Sequence, residues 1–286
     1  MTYPKATLQE YGFKDYSKLK KVYSVLSKIL VALIIFALYL PILVILIQSI
    51  NSSTDLAVFD KFTLKWYVEI FKHDTLTDVI LNTLLVSFCA TVISTVAGTF
   101  IAVGINALPT KKRQRLILLN NIPLLNADIV TGLGIMLVFS LLLPIFPYIF
   151  GFPVLLIAHV FFTLPYVVLS VLPKLKEVDP NIMDAAADLG VKPYKALVKI
   201  IVPAVKAGIF SGMLLAFTMS VDDFIISYFT TGNGFDNLSI WIYGSIGRKS
   251  LTPAVYAFST LLTLFTLVSL LISNALQKKG HRRKRI

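Results

Sequence analysis

Long apolar runs alternate with short polar patches along this chain, and the alternation predicts a bundle of membrane-spanning helices. The apolar runs cover about 28–50, 79–108, 116–143, 154–172, 204–229 and 253–276. The first is too long for a signal peptide and lacks a small-residue cleavage site, so it reads as a retained span kinked at Pro41. In the second, Ala90, Ser94, Gly98 and Ala102 recur every four residues and form a stripe that admits another helix closely. The fifth repeats this device with Ala204, Gly208, Gly212, Ala216 and Ser220. Pro123 and Asp128 interrupt the third run, and Pro165 lies in the lower half of the fourth.

The polar patches orient the spans. Lys5, Lys14, Lys18, Lys20 and Lys21 precede the first run; Lys111, Lys112, Arg113 and Arg115 follow the second; KKGHRRKRI closes the chain. Segments on the other side are acidic (51–78), uncharged (144–153) or nearly balanced (230–252). By the positive-inside rule the expected fold is all-α with six transmembrane helices and both termini cytoplasmic. Residues 1–27 form an N-terminal extension, 28–276 the transmembrane domain, and 277–286 a basic tail suited to topology or to anionic lipid. Trp66 and Tyr67 read as interface anchors.

Composition narrows the class. Of 286 residues 56% are hydrophobic and 15% charged, with a mean hydropathy of +0.79; a soluble domain carries about a quarter charged residues. The net charge of +12 flanks spans rather than forming a basic face, so it argues for no nucleic-acid partner. Cys89 is the single cysteine, which excludes a disulfide framework. His73, His159 and His281 have no metal-ligand spacing. GSIGRKS, 244–250, lacks the glycine spacing and preceding strand of a phosphate loop. No catalytic constellation emerges, and the chain reads as a transport subunit driven from elsewhere.

The oddities are carboxylates inside apolar runs. Counting along a straight helix puts Asp128 roughly 18 Å into the third span. Asp222 and Asp223 lie toward the outer end of the fifth. An aspartate at mid-membrane costs about 2.5–3.5 kcal/mol on insertion scales. Asp223 follows Gly212 by a number of residues that returns it to the small-residue face, which points it into the bundle; Asp222 points about 100° away. Apart from Lys28 and Lys206 at the very starts of their runs, no lysine or arginine lies within a span to pair with them. Either a translocated cation neutralises Asp128 and Asp223, or they are protonated or hydrogen-bonded to Ser220, Ser227 or Asn126. Tyr228, Phe229, Trp241 and Tyr243 could add cation–π contacts or form an interfacial belt.

One polar stretch, DAAADLGVKPYKALVKIIVP at 184–203, lies on the expected cytoplasmic side. Asp179 and Pro180 suit a helix start, Gly190 a left-handed helix end, and Pro193 a second start. With Ala185 and Ala186 as a small face it reads as a docking element, or else as an ordinary solvated loop.

Its spacing resembles the EAA loop of ABC-importer permeases: EAA, three residues, Gly, nine residues, Ile, any residue, Leu, Pro. The matching positions are Asp184, Ala185, Ala186, Gly190, Ile200, Val202 and Pro203, with Asp for Glu and Val for Leu. LYLPILVILIQSINSS, Lys65–Tyr67, NADIVTGLG, HVFFTLPYVV and FTMSVDDFIISYFTTG resemble the spermidine/putrescine permeases, the PotC-type subunit most. The resemblance covers about 30–276 and implies a MetI-like permease fold whose core is about 79–276, with a coupling loop at 173–203. It also implies a PotB-like sister permease, a dimer of PotA-like ATPases and a PotD-like extracellular binding protein. ATP and Mg would be used by the ATPase, with no cofactor on this chain. Asp128, Asp222 and Asp223 would meet the ammonium groups of a polyamine. The alternatives are another small cation or organic solute, or an ion-coupled secondary transporter; the latter predicts inverted repeats, and none is clear. A membrane scaffold is a further class, in which the intramembrane aspartates would be dispensable.

Overall fold

The computed structural model describes residues 16–55, 58–72, 74–232, 234–247 and 252–283. Residues 1–15 of the extension, His73, the RKS end of GSIGRKS (248–250), and 284–286 lie outside that set.

Thirteen helices occur among the described residues, and no strand does: α1 (Tyr16–Ser49), α2 (Lys65–Glu69), α3 (Asp74–Asn106), α4 (Thr110–Leu125), α5 (Asp128–Ser140), α6 (Phe152–Leu175), α7 (Ile182–Asp188), α8 (Pro193–Ala196), α9 (Val202–Ala204), α10 (Lys206–Asp222), α11 (Ile225–Thr230), α12 (Leu238–Gly247) and α13 (Ala254–Arg283). A π-helical turn, Leu197–Ile201, joins α8 to α9. Val22–Ser49, α3 and α6 are each long and apolar enough to cross a membrane. The pairs α4–α5 and Pro193–Ala204 with α10 pass the same test only as bent units, and α13 contributes a shorter apolar stretch, Ala254–Ser269. Helix α1 begins well before the predicted first span, and α13 carries helix through most of the predicted tail.

Helix α6 is the axis of the core, packed between α3 and α10. The small-residue stripes set both contacts. Ala90, Ser94, Gly98 and Ala102 are buried on α3, as are Gly208, Gly212, Ala216 and Ser220 on α10. A Cβ at Gly98 would stand 2.9 Å from Cβ of Val167, and one at Gly212 would stand 2.9 Å from its Cα. Real Cβ contacts are essentially never that short, so glycine is what permits α6 to be gripped from both sides.

Two predicted spans are not single helices. Between α4 and α5 the chain turns by 98°, because Pro123 removes a ladder donor and Asn126 and Ala127 adopt extended backbone (ψ 146° and 136°). The Asn126 amide then donates to Thr131 Oγ1 at 3.1 Å, tying the break to the first turns of α5. In the fifth run the chain bends by 75° around Val205, which leaves Ala204 exposed and off the stripe. A second break follows Asp222, where Asp223 is extended (ψ 128°) before α11 begins. Broken helices at membrane depth occur where the freed backbone is buried in protein or lines a cavity.

The segment after α1 is also more ordered than an open loop. Asn51 is fully buried; its amide donates to Gln48 Oε1 and to the Val58 carbonyl, and its Oδ1 accepts from the amides of Ser53 and Asp60. Trp66 is buried, donating from Nε1 to the Asn51 carbonyl at 2.6 Å. Tyr67 shares a hydrogen bond with Ser49. The interface-anchor expectation for Trp66 therefore gives way to a core role, because its indole N–H has a backbone acceptor inside the protein.

Candidate functional site

Asp223 sits in the gap between α10 and α11, and its carboxylate turns back onto α11. Oδ2 accepts from the Ser227 amide and the Ser227 hydroxyl, each at 2.7 Å, and Oδ1 accepts from the Ile226 amide at 3.3 Å. It thus caps the free amides of α11. The side chain is 8% exposed, so the inward direction expected for it holds. Oδ1, with one long bond, keeps acceptor capacity for a further donor. Asp222 ends α10 on the other side and is exposed, lining an apolar groove of about 460 Å³ with Tyr39 and Leu43 of α1 and Thr266 of α13.

Asp128 lies elsewhere than a straight third span would put it. The break before α5 places it in that helix's first turn, exposed, where a carboxylate complements the helix dipole. The depth obtained by counting turns consequently does not apply. Helix α5 packs on α11, with Gly132 against Ile226 and Phe229. Two acids from distant parts of the chain thus stand at the starts of two neighbouring short helices.

His159 of α6 is the member of this site that sequence reasoning missed. It is 1% exposed. Nδ1 lies 2.6 Å from Ser220 Oγ, and Nε2 lies 3.0 Å from Ser227 Oγ and 3.8 Å from Asp223 Oδ2. Behind it the Thr163 hydroxyl donates to the His159 carbonyl at 2.6 Å and pairs with Ser94 of α3 at 2.8 Å. A polar seam therefore runs from α3 through α6 to Asp223. An ionisable residue inside an apolar run was itself the signal; tested only for metal spacing, it showed nothing. Among the described residues no His, Cys, Asp or Glu cluster could hold a metal.

The aromatic residues divide into two groups. Phe224, Tyr228, Phe229 and Tyr243 form a contiguous cluster beside Asp223, with ring centroids 4.9–6.4 Å apart. Tyr228 and Tyr243 are exposed at 53% and 61%. Trp241 stands apart, half-buried on the cluster of Trp66, Ile70, Leu76 and Phe258. It belongs to packing, because α12 directs it toward α2, α3 and α13.

The 184–203 stretch folds as two short helices around a left-handed residue. Gly190 has φ +73°. Its amide donates to the Ala187 carbonyl and that of Val191 to the Ala186 carbonyl, at 2.8 and 2.9 Å, the paired bonds of a Schellman end. Asp179 accepts from the Asn181 amide in a turn ahead of the helix rather than at its cap, and Pro180 stays outside. Ala185 and Ala186 do not share one face: Ala186 is buried, whereas Asp184, Ala185, Asp188 and Leu189 are exposed. Positions 185, 188 and 189 fall on one outward side of α7. Pro203 cannot donate to the carbonyl four residues back, which accompanies the widened π turn over Ile200.

Residues 95–286 match the family of binding-protein-dependent transport system inner membrane components. The chain belongs to that family. It is therefore an inner-membrane permease subunit of an ABC importer, not an enzyme. It is similar to the spermidine/putrescine permease PotC of Haemophilus influenzae (29% identical over 244 residues, 85% of this chain and 93% of that one). It resembles PotC of Escherichia coli at 30% over 84% of this chain and 89% of the relative. The Escherichia coli putrescine permease PotI is 32% identical over 79% of this chain and 81% of its own. Among solved structures, a bacterial ABC transporter importing the acidic polysaccharide alginate superposes with a TM-score of 0.66 at 14% identity, covering 92% of this permease and 98% of that chain. The same transporter type in complex with an alginate-pentasaccharide-bound periplasmic protein gives 0.62 at 16% identity, covering 93% and 97%. At these identities the structures speak for the permease fold.

Proposed function

We propose that this permease translocates polyamines, spermidine or putrescine, in an ATP-driven complex. The complex would contain a PotB-like sister permease, a PotA-like ATPase dimer and a PotD-like binding protein. The observation that carries the substrate reading is the Asp223 gap. A buried carboxylate with spare acceptor capacity on Oδ1 faces no lysine or arginine among the described residues, shares the α5–α11 pair with Asp128 and lies beside the aromatic cluster of Phe224, Tyr228 and Tyr243. Fixed carboxylates with π faces suit a slender polycation, and the similarity to PotC and PotI supports the same class. Trp241 has no part in this reading, and Asp222, on the groove side, is a secondary contact at most.

In this reading the six-span topology puts both termini and the 184–203 stretch in the cytoplasm. Helix α7 offers Asp184, Ala185, Asp188 and Leu189 to a cleft of the ATPase, and its Schellman end at Gly190 fixes its direction relative to α8. ATP-driven closure of the ATPases would then move α7, and the bend at Val205 links that motion to α10 and the Asp223 gap. ATP and Mg act on the partner. The test is ATP hydrolysis by the assembled complex in lipid. Polyamine-loaded binding protein should stimulate it, and a complex equally active with an anionic solute and its binding protein would refute the polyamine assignment.

A further inference from the structure

We infer that His159 is a positioning residue for Asp223, held as the neutral Nε2–H tautomer within a one-directional hydrogen-bond chain from Ser220 through the imidazole and Ser227 to the carboxylate. Proton bookkeeping carries this. A carboxylate can only accept, so the single hydroxyl proton of Ser227 goes to Asp223 Oδ2. Ser227 Oγ is left as an acceptor toward His159, 3.0 Å away, and Nε2 must donate. With its proton on Nε2, the neutral ring has a lone pair on Nδ1. Ser220, fully buried, has its hydroxyl 2.6 Å from that nitrogen and donates to it. Every proton in the chain then has an acceptor, as buried polar groups require. The opposite tautomer sets Nε2 as a second acceptor facing a Ser227 whose proton is already committed, and takes from the Ser220 hydroxyl the acceptor that Nδ1 provides.

The consequence is mechanical. His159 comes from α6, the rigid axis of the core, whereas Asp223 lies in a two-residue gap of non-helical chain. Through Ser227 the imidazole fixes which carboxylate oxygen is committed and which, Oδ1, keeps a free lone pair. The transport half of this inference rests on reading Asp223 as a cation-binding group; the tautomer half does not.

The test is ¹⁵N NMR of the histidine-labelled complex in lipid nanodiscs, with His159→Gln used to assign the signals. One N–H-type nitrogen at Nε2 and one lone-pair-type nitrogen at Nδ1 are expected, and Ser220→Ala should move the Nδ1 resonance while leaving Nε2–H in place. An imidazolium, an Nδ1–H ring, or an Nδ1 signal indifferent to Ser220→Ala overturns the assignment. In spermidine uptake, His159→Leu should raise KM by roughly tenfold, the effect of losing one hydrogen bond in a charged network. His159→Gln, whose amide N–H reaches toward the place of Nε2, should recover most of that. Equal KM losses in both variants overturn the positioning role. A wild-type complex that shows the expected tautomer but moves no polyamine refutes the proposed substrate and leaves the tautomer standing.

Discussion

His159 Nε2 and Asp223 Oδ2 stand 3.8 Å apart across the α6–α11 contact, with the Ser227 hydroxyl bridging them. This relationship places an acid of the fifth apolar run under the control of the fourth. It predicts that Ser227→Ala, which removes the bridging hydroxyl but keeps the backbone amide bond to Asp223, weakens polyamine uptake without dissolving the fold. About 1.5 kcal/mol, the low end for one bond to a charged group, is at stake. Thermal unfolding of the purified complex should move little while KM rises several-fold; an unchanged KM would separate Ser227 from the site.

The three aspartates should not be equivalent. Asp223→Asn loses the charge and one of two acceptor oxygens at the α11 cap, so uptake should fall by at least tenfold. Asp222→Asn, exposed on the α1/α13 groove, should change uptake by no more than about twofold, the modest effect of an exposed group. Asp128→Asn should fall between. Radiolabelled spermidine uptake by the three variants checks the order, and a larger loss at Asp222 than at Asp223 would contradict it.

Much of the architecture was legible because hydropathy and four-residue spacing are local properties of the chain. The Gly98 and Gly212 stripes pointed to close packing, and they do bracket Val167. The breaks were not legible in the same way. A hydropathy window averages over Pro123 and Asn126, and Asp223 caps the next helix only because the preceding one stops at Asp222. The His159 pairing needs α6, α10 and α11 to be brought together, which no local spacing encodes. The EAA spacing located Gly190 and its left-handed turn, yet the split between Ala185 and Ala186 became visible only with the orientation of α7.

The glycine grip makes a stability prediction. Gly98→Ala should cost about 1–3 kcal/mol by overpacking against Val167, and Val167→Ala in the same chain should recover part of it, because Val167 Cγ1 also crowds that position. Gly212→Ala meets the Val167 Cα, so the same second change should recover little. Thermal unfolding of the four variants tests this, and equal rescue of both glycines would contradict the geometry.

At Gly190 the added Cβ would meet nothing within 4 Å, so the cost is purely conformational. Gly190→Val should strain the left-handed turn by about 1–2 kcal/mol and reduce association with the ATPase, whereas Gly190→Asn, which tolerates that region, should retain it. Co-purification of the ATPase is the readout. Loss in both variants would point to side-chain bulk at the interface instead of backbone conformation.

The two aromatic groups should separate by readout. Tyr243→Ala should raise the KM for polyamine with little effect on unfolding, and Tyr243→Phe should retain wild-type KM because the π face remains. Trp241→Ala should instead lower the unfolding temperature, since it removes packing against Trp66 and Phe258.

The most direct measurement is spermidine and putrescine accumulation in proteoliposomes carrying the complete complex, with binding protein outside and ATP within, for wild type beside Asp223→Asn. The account predicts accumulation that requires ATP and falls at least tenfold in the variant. Polyamine accumulation driven by an ion gradient without ATP, or undiminished transport by Asp223→Asn, would contradict it.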